Sequence, residues 1–199
     1  FLWVDSYVDK FFLQIQGSGR VQLPDGSMTR VGYAGQNGQP YRAIGRDLIE
    51  MGAIPREEMS MQRIRQWLAA HPDRAEALMN RNPSYIFFQE RTDLPPDAGP
   101  IGSQGVPLTA GHSLAVDPEV IPMGTPVWID GTAPTATDDS STVPFQRLLI
   151  AQDTGGAIRG PLRGDVFWGH GPDAEIRAGR MQHPATWYVL VPRAALWDI

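Results

Sequence analysis

The chain has no cysteine, which excludes disulfide bridges and thiolate chemistry. Its four histidines, His71, His112, His170 and His183, stand apart, without the spacing of a metal-ligand set. It also lacks a basic excess: the formal charge is -5, the pI is near 5.3 and the Lys and Arg residues form no stripe. That argues against nucleic acid as a partner and leaves a neutral or acidic polar ligand open. No run of about 18 apolar residues is present, so nothing reads as a membrane-spanning helix. The opening Phe1-Leu2-Trp3-Val4-Asp5 has neither the basic start nor the apolar centre of a secretory signal, and reads like the middle of a fold. No internal repeat is visible. What is plentiful is glycine, at 21, and proline, at 18, which favours many short strands and tight turns over a helix bundle. With 199 residues, two small units are expected, in a mainly β chain with a few short helices.

Between Val8 and Val31 apolar and polar residues alternate, which predicts strands joined by a bend at Gly17-Ser18-Gly19 and a hairpin turn at Pro24-Asp25-Gly26. Gly32 to Pro40, rich in glycine and amides, reads as a loop leading into a helix over Tyr41 to Met51, capped by Gly52. Ser60 is a candidate N-cap for a helix carrying Ile64, Trp67 and Leu68, and Pro72 opens a following helix through Leu78 and Met79. Ser84 to Phe88 predicts a strand, and the run Leu94-Pro95-Pro96-Asp97-Ala98-Gly99-Pro100 a domain boundary, with one unit over 1–97 and the other over 98–199. Beyond it, short apolar segments at Val106–Leu108, Leu114–Val116, Thr125–Ile129, Leu148–Ala151, Val166–Trp168 and Thr186–Val191 predict a compact β-barrel. The polar stretch from Gly131 to Ser141 reads as a loop between strands, and Asp173 and Glu175 as a solvated turn. Trp3, Trp67 and Trp128 lie in apolar runs and are expected in the core.

The chemistry concentrates in Gln152-Asp153-Thr154-Gly155-Gly156-Ala157-Ile158-Arg159-Gly160-Pro161-Leu162-Arg163-Gly164-Asp165-Val166-Phe167-Trp168. Apolar residues precede Asp153 and follow Asp165, which places each acid at the edge of a buried strand, where partial desolvation favours the protonated form needed by a general acid. The residue pattern alone leaves Asp165 divided between catalysis and the capping of a turn. His170 is read as a surface histidine rather than a proton relay, and Trp168 as either core or groove wall.

Several motifs in one order resemble the membrane-bound lytic murein transglycosylase A family. They are Ile15-Gln16-Gly17-Ser18-Gly19, Tyr33-Ala34-Gly35-Gln36-Asn37-Gly38 with Tyr41-Arg42-Ala43-Ile44-Gly45, Ser60 to Trp67, Asn82 to Phe88, Ile121-Pro122-Met123-Gly124-Thr125, and Asp153 to Gly171. The resemblance implies a double-psi β-barrel carrying a catalytic aspartate and a smaller β-rich inserted domain, with a glycan strand held in a groove. It implies that residues 1–97 are the end of the inserted domain and 98–199 the second half of the barrel, whose first half lies in upstream sequence. It also implies a peptidoglycan lyase at the periplasmic face of a Gram-negative outer membrane, needing no metal or organic cofactor. By motif, Asp165 is the catalytic acid and Asp153 its support. Gln16, Gly17, Ser18, Gly19, Tyr33, Gln36, Asn37, Tyr41, Gly155, Gly156 and Trp168 are the candidate glycan contacts, through amides, hydroxyls, aromatic faces and close backbone approach. Two other readings stay open: a barrel that binds glycan without cutting it, and a hydrolase using Asp153 and Asp165 as an acid and base pair.

Overall fold

The computed structural model describes residues 2–95, 97–137, 141–161 and 163–193. Phe1, Pro96, Leu162 and residues 138–140, all within stretches named above, lie outside the described residues. The chain divides into two compact units, Phe1–Pro96 and Asp97–Ile199.

In the first unit, α1 (Tyr7–Gln16) is followed by the hairpin β1 (Ser18–Gln22) and β2 (Met28–Gln36), then α2 (Ile44–Glu50), a single 3-10 turn (Arg56–Glu58), α3 (Met61–Ala70), α4 (Pro72–Met79) and β3 (Ile86–Glu90). The first expectation to fall is the strand before Gly17, because that segment is helical. Ser6 caps it by accepting the Asp9 N–H at 3.1 Å, and Val8, Phe11, Phe12 and Ile15 recur at three- and four-residue spacing. Gly17, at φ +72°, closes the helix by donating to the Leu13 carbonyl at 2.9 Å, so Gly17-Ser18-Gly19 is a helix stop rather than a bend between strands. The expected loop at Gly32 also begins as strand. β2 runs on to Gln36, pairing Gly32 with Gln89 and Tyr33 with Phe88, then, past a bulge, Gly35 with Phe87 and Gln36 with Ile86.

The three later helices form as expected. Gly52 follows α2 at φ +66°, Ser60 Oγ accepts the Arg63 N–H at 3.2 Å, and Pro72 opens α4. Their apolar faces and Phe12 of α1 make one core with Ile44, Leu48, Ile54, Trp67, Leu68, Leu78 and Met79. Trp3 is not part of it. It is 99% exposed, because it precedes the cap of α1 and belongs to no element that would carry it inward.

The second unit contains β4 (Ser113–Ala115), β5 (Pro126–Pro134), β6 (Thr142–Asp153), β7 (Asp165–Val166), α5 (Pro172–Arg180) and β8 (Ala185–Val189). They form one sheet in the order β7-β4-β6-β5-β8, parallel between β4 and β6 and antiparallel elsewhere. Leu114, Val116, Val127, Ile129, Phe145, Leu149 and Ala151 fill its core. Trp128 points away from it, as strand alternation requires of a residue between buried Val127 and Ile129, and is partly exposed instead of core. Val106–Leu108 contributes one bridge, Ile101 to Pro107, rather than a strand. The polar stretch expected as a loop begins as sheet, since β5 continues through Pro134. Asp173 and Glu175 sit in the first turn of α5, not in a loose turn, with Pro172 at the helix start and Arg177 and Arg180 in the last turn.

The sheet is rolled. A flat sheet would hold β7 and β8 four strand spacings apart, about 19 Å. Yet a Cβ on Gly164, the residue before β7, would lie 2.3 Å from the ring of Trp187 on β8. The two ends of the strand order therefore come together over the core, the curvature from which barrels are made.

Candidate active site

Ala115 of β4 pairs with both aspartates, with Asp153 across the parallel ladder and with Asp165 across the antiparallel one. The two acids thus flank a single residue, two strand spacings or about 10 Å apart at their Cα atoms. Residues 154–164 join them. Asp153 is turned toward a neighbouring loop, where its Oδ1 accepts the Ser103 N–H at 3.0 Å and the Ser103 hydroxyl at 3.1 Å. Ser103 Oγ also lies 2.6 Å from Thr154 Oγ1. Asp165 has no such enclosure. The expected burial is absent and its side chain is 57% exposed, because it opens a two-residue strand while Val166 and Trp168 turn to the core. Its neighbour is Arg163, whose Nε and Nη2 lie 3.5 Å from the two carboxylate oxygens and whose Nη1 donates to the Ala157 carbonyl at 2.9 Å. Arg163 therefore ties the acid to the loop, a role that its place two residues away in the sequence did not reveal.

A third acid, Asp117, which sequence reasoning passed over, holds the same loop. It is buried, its Oδ2 accepts the Gly160 N–H at 2.7 Å, and its Oδ1 accepts the Glu119 N–H at 3.2 Å with Arg159 at 3.8 Å. Gly160 sits at φ +79°, where a side chain would be strained. The Gly160 and Glu119 N–H groups, helped by the Arg159 charge, hold the Asp117 carboxyl below the usual carboxylate range. With its folded-state pKa depressed, the latch contributes fully above the ordinary value of about 3.9 and is lost as the pH falls through the folded value. In Asp117→Ala, hydrogen exchange should show the Gly160 amide exchanging about tenfold faster or more at neutral pH. The acid loosening of this loop expected in the parent, as the pH falls through the depressed Asp117 value, should then vanish as a separate step.

The loop glycines have packing reasons. A Cβ on Gly155 would lie 2.9 Å from buried Ile158, which folds back to donate its N–H to the Gly155 carbonyl at 2.9 Å. Gly156 is exposed. Trp168, just past the end of β7, is half-buried against Phe145, with ring centroids 5.4 Å apart, and packs on the core while Asp165 is exposed.

In the first unit, Gln16 is the exposed last residue of α1, and Ser18 opens β1 opposite Gly32. Gly19 lets α1 approach the hairpin, since a Cβ there would lie 2.5 Å from Leu13. Asn37 is occupied in tying its loop to the segment before β3: its N–H donates to the Tyr85 carbonyl at 3.0 Å, its Oδ1 accepts from Tyr85 N at 3.0 Å and Gln39 N at 3.2 Å, and its Nδ2 donates to the Pro83 carbonyl at 2.8 Å. Tyr41 is half-buried ahead of α2. Beside it, Asp47 is fully buried between Arg42 at 2.6 Å and Arg81 at 3.0 Å, and the Arg42 hydrogen bond leads in lowering its pKa. Tyr33 and Gln36 remain exposed on β2. The sequence reading also overlooked Tyr85 and Phe87, both exposed, with rings 5.3 Å apart in an edge contact. Phe87 stands opposite Gly35, above which lies open space, so an aromatic face borders a floor without side chains.

Two family models match the chain, the MltA specific insert domain over residues 1–89 and the 3D domain over residues 112–191. The membrane-bound lytic murein transglycosylase A of Escherichia coli K12 is 37% identical over 191 residues, 94% of this chain and 50% of that protein. Its Vibrio cholerae counterpart is 36% identical over 184 residues, 91% of this chain and 48% of that protein. Among solved structures, a membrane-bound lytic murein transglycosylase from Agrobacterium tumefaciens superposes with a TM-score of 0.86 at 43% identity, covering 98% of this chain and 53% of that one. E. coli MltA with bound chitohexaose gives a TM-score of 0.81 at 34% identity, covering 94% and 55%. The chain thus spans about half the length of the curated relatives it matches.

Proposed function

Because the chain belongs to the membrane-bound lytic murein transglycosylase A family, we propose that it is the part of a peptidoglycan lyase that carries the catalytic acid and one wall of the glycan site. The observation that carries this reading is Asp165: a carboxyl presented outward at the lip of a rolled sheet, braced by Arg163 on a loop latched by Asp117. In this reading residues 98–199 are the second half of a double-psi barrel, completed by sequence outside this chain, and residues 1–97 the end of the inserted domain.

The reaction needs one acid. The Asp165 carboxyl protonates the bridging oxygen between N-acetylmuramic acid and N-acetylglucosamine as the anomeric C–O bond breaks. The C6 hydroxyl of the same muramyl ring then closes on the anomeric carbon, and the carboxylate takes up the hydroxyl proton, leaving a 1,6-anhydro end with no water consumed. A saccharide lying over a carboxyl removes water from it, which favours the neutral acid required for the first step. Asp153, spent on Ser103, shapes the strand end rather than transferring a proton. Gly155, Gly156 and Trp168 then set the loop and the core beneath the acid, Asn37 and Tyr41 shape the loop after β2, and Gln16, Ser18, Tyr33 and Gln36, with Gly17 and Gly19 shaping their backbone, offer polar and aromatic contact to sugar. A relative solved with chitohexaose supports a chain of amino sugars as ligand. The membrane-bound relatives support action at the periplasmic face of the outer membrane.

The full-length protein incubated with purified murein sacculi should release fragments ending in anhydromuramic acid, lighter by one water than hydrolytic products. Reducing ends would assign a hydrolase, and bound but uncut sacculi a binding module. Phe87→Ala should weaken chitohexaose binding about threefold to tenfold in calorimetric titration, the worth of one aromatic face. Unchanged affinity would remove Phe87 from the glycan site.

A further inference from the structure

A pocket of about 270 Å³ opens at one end of the second unit's core, and its wall brings together Gly111, Arg147, Trp168, His170, Asp173 and Arg177. Arg147 stands on the same face of β6 as buried Phe145 and Leu149 but is itself exposed, so its guanidinium reaches solvent from the margin of the core. Its guanidinium lies 5.5 Å from the Phe145 ring centre, the Phe145 and Trp168 rings are 5.4 Å apart, and the Arg177 guanidinium lies 5.3 Å from the Trp168 ring. Two cations thus sit on two touching rings. Neither is within 4.0 Å of a carboxylate among the described residues, whereas Arg42, Arg63, Arg65, Arg81, Arg159 and Arg163 each have such a partner. Room for Arg147 is built into the backbone: Gly111 takes φ +70°, and a Cβ there would lie 2.7 Å from the guanidinium. The buried Trp168 indole N–H has no acceptor among the described residues.

We propose that this pocket is a second binding site, for a single carboxylate on a group the size of an amino acid, held between the Arg147 and Arg177 forks. Planar guanidinium forks match a carboxylate in geometry, and the Trp168 ring with Ala110 and Ala174 in the pocket wall suits a short apolar stem. Counting Asp173 against the two arginines, and His170 as neutral, leaves a local charge of about +1, in a chain whose net charge is -5. One negative charge balances it, while a phosphate dianion would also meet the Asp173 carboxylate. The site is separate from the acid chemistry. Val166 and Trp168 turn to the core and Asp165 to the other side, so the inference does not depend on the lyase reading.

The chemistry has two sources, a peptide C-terminus or a free organic acid, and titration calorimetry on the full-length protein separates them. N-acetylalanine should bind in the millimolar range and its amide about tenfold more weakly or worse. Acetate binding as well as N-acetylalanine would assign a free acid, and weaker acetate binding a peptide terminus. Arg147→Gln and Arg177→Gln should each weaken N-acetylalanine about tenfold, with Arg177→Lys recovering part of the loss. Asp173→Asn, which removes the competing charge, should tighten binding severalfold, a gain that damage to the fold would not produce. Equal binding of the acid and its amide, tighter binding of inorganic phosphate than of either carboxylate, or no binding at all overturns the proposal.

Discussion

Asparagine in place of Asp165 should cut anhydro-product release by about a thousandfold or more, the scale of losing both the proton donated to the leaving oxygen and the base that follows. The fold should hardly notice. The side chain is 57% exposed and, among the described residues, its ion-pair partner is Arg163 at 3.5 Å, an exposed pair of the kind that contributes little stability. Retained sacculus binding and an unchanged thermal midpoint would therefore accompany the lost chemistry. Asp153→Asn is the informative partner experiment. Its Oδ1 can keep accepting both bonds from Ser103, so the loss should be far smaller than for Asp165. Comparable losses in the two variants would favour the two-carboxylate hydrolase, and near-normal rates in Asp165→Asn would remove the acid from the mechanism.

The contrast between these aspartates bears on what a sequence can tell. Both were visible as acids at strand edges, and both are, one ending β6 and the other opening β7. Their environments were not visible, because they depend on partners far along the chain. Ser103 reaches Asp153 from 50 residues away and Asp117 reaches Gly160 from 43. Within Val116-Asp117-Pro118, nothing local separates a latch from an ordinary turn. Helices marked by strong punctuation, Ser60 before α3 and Pro72 before α4, were legible. α1 was not, since Val8, Phe11, Phe12 and Ile15 fit a helical period while the polar residues among them imitate alternation. α5 was hidden for the opposite reason: it buries only Ala174, so it shows almost no apolar face despite Pro172 at its start. Tyr85 and Phe87 read as strand residues, and only the pairing of Phe87 with Gly35 reveals that they border open space.

Gly164→Ala should be nearly as damaging to catalysis as loss of the acid's neighbours on the loop, although it adds one methyl group and removes no functional atom. The new Cβ would lie 2.3 Å from the Trp187 ring and 2.9 Å from the Ala115 carbonyl oxygen. Ala115 is the residue against which Asp165 is registered, so relief by moving the backbone displaces the acid itself. Relief by moving Trp187 withdraws a large ring packed against the core and opens the roll of the sheet. A shift on the order of 1 Å at a proton donor costs about a hundredfold in rate, so kcat should fall by about that factor while glycan affinity changes little. The thermal midpoint should also drop. Adding Trp187→Ala should restore several-fold of the lost rate, because it clears the ring but leaves the Ala115 oxygen, so rescue is partial even though stability falls further. Full activity in Gly164→Ala would mean that the position of Asp165 on β7 is not what limits the reaction, and no rescue in the double variant would mean that the backbone contact alone accounts for the loss.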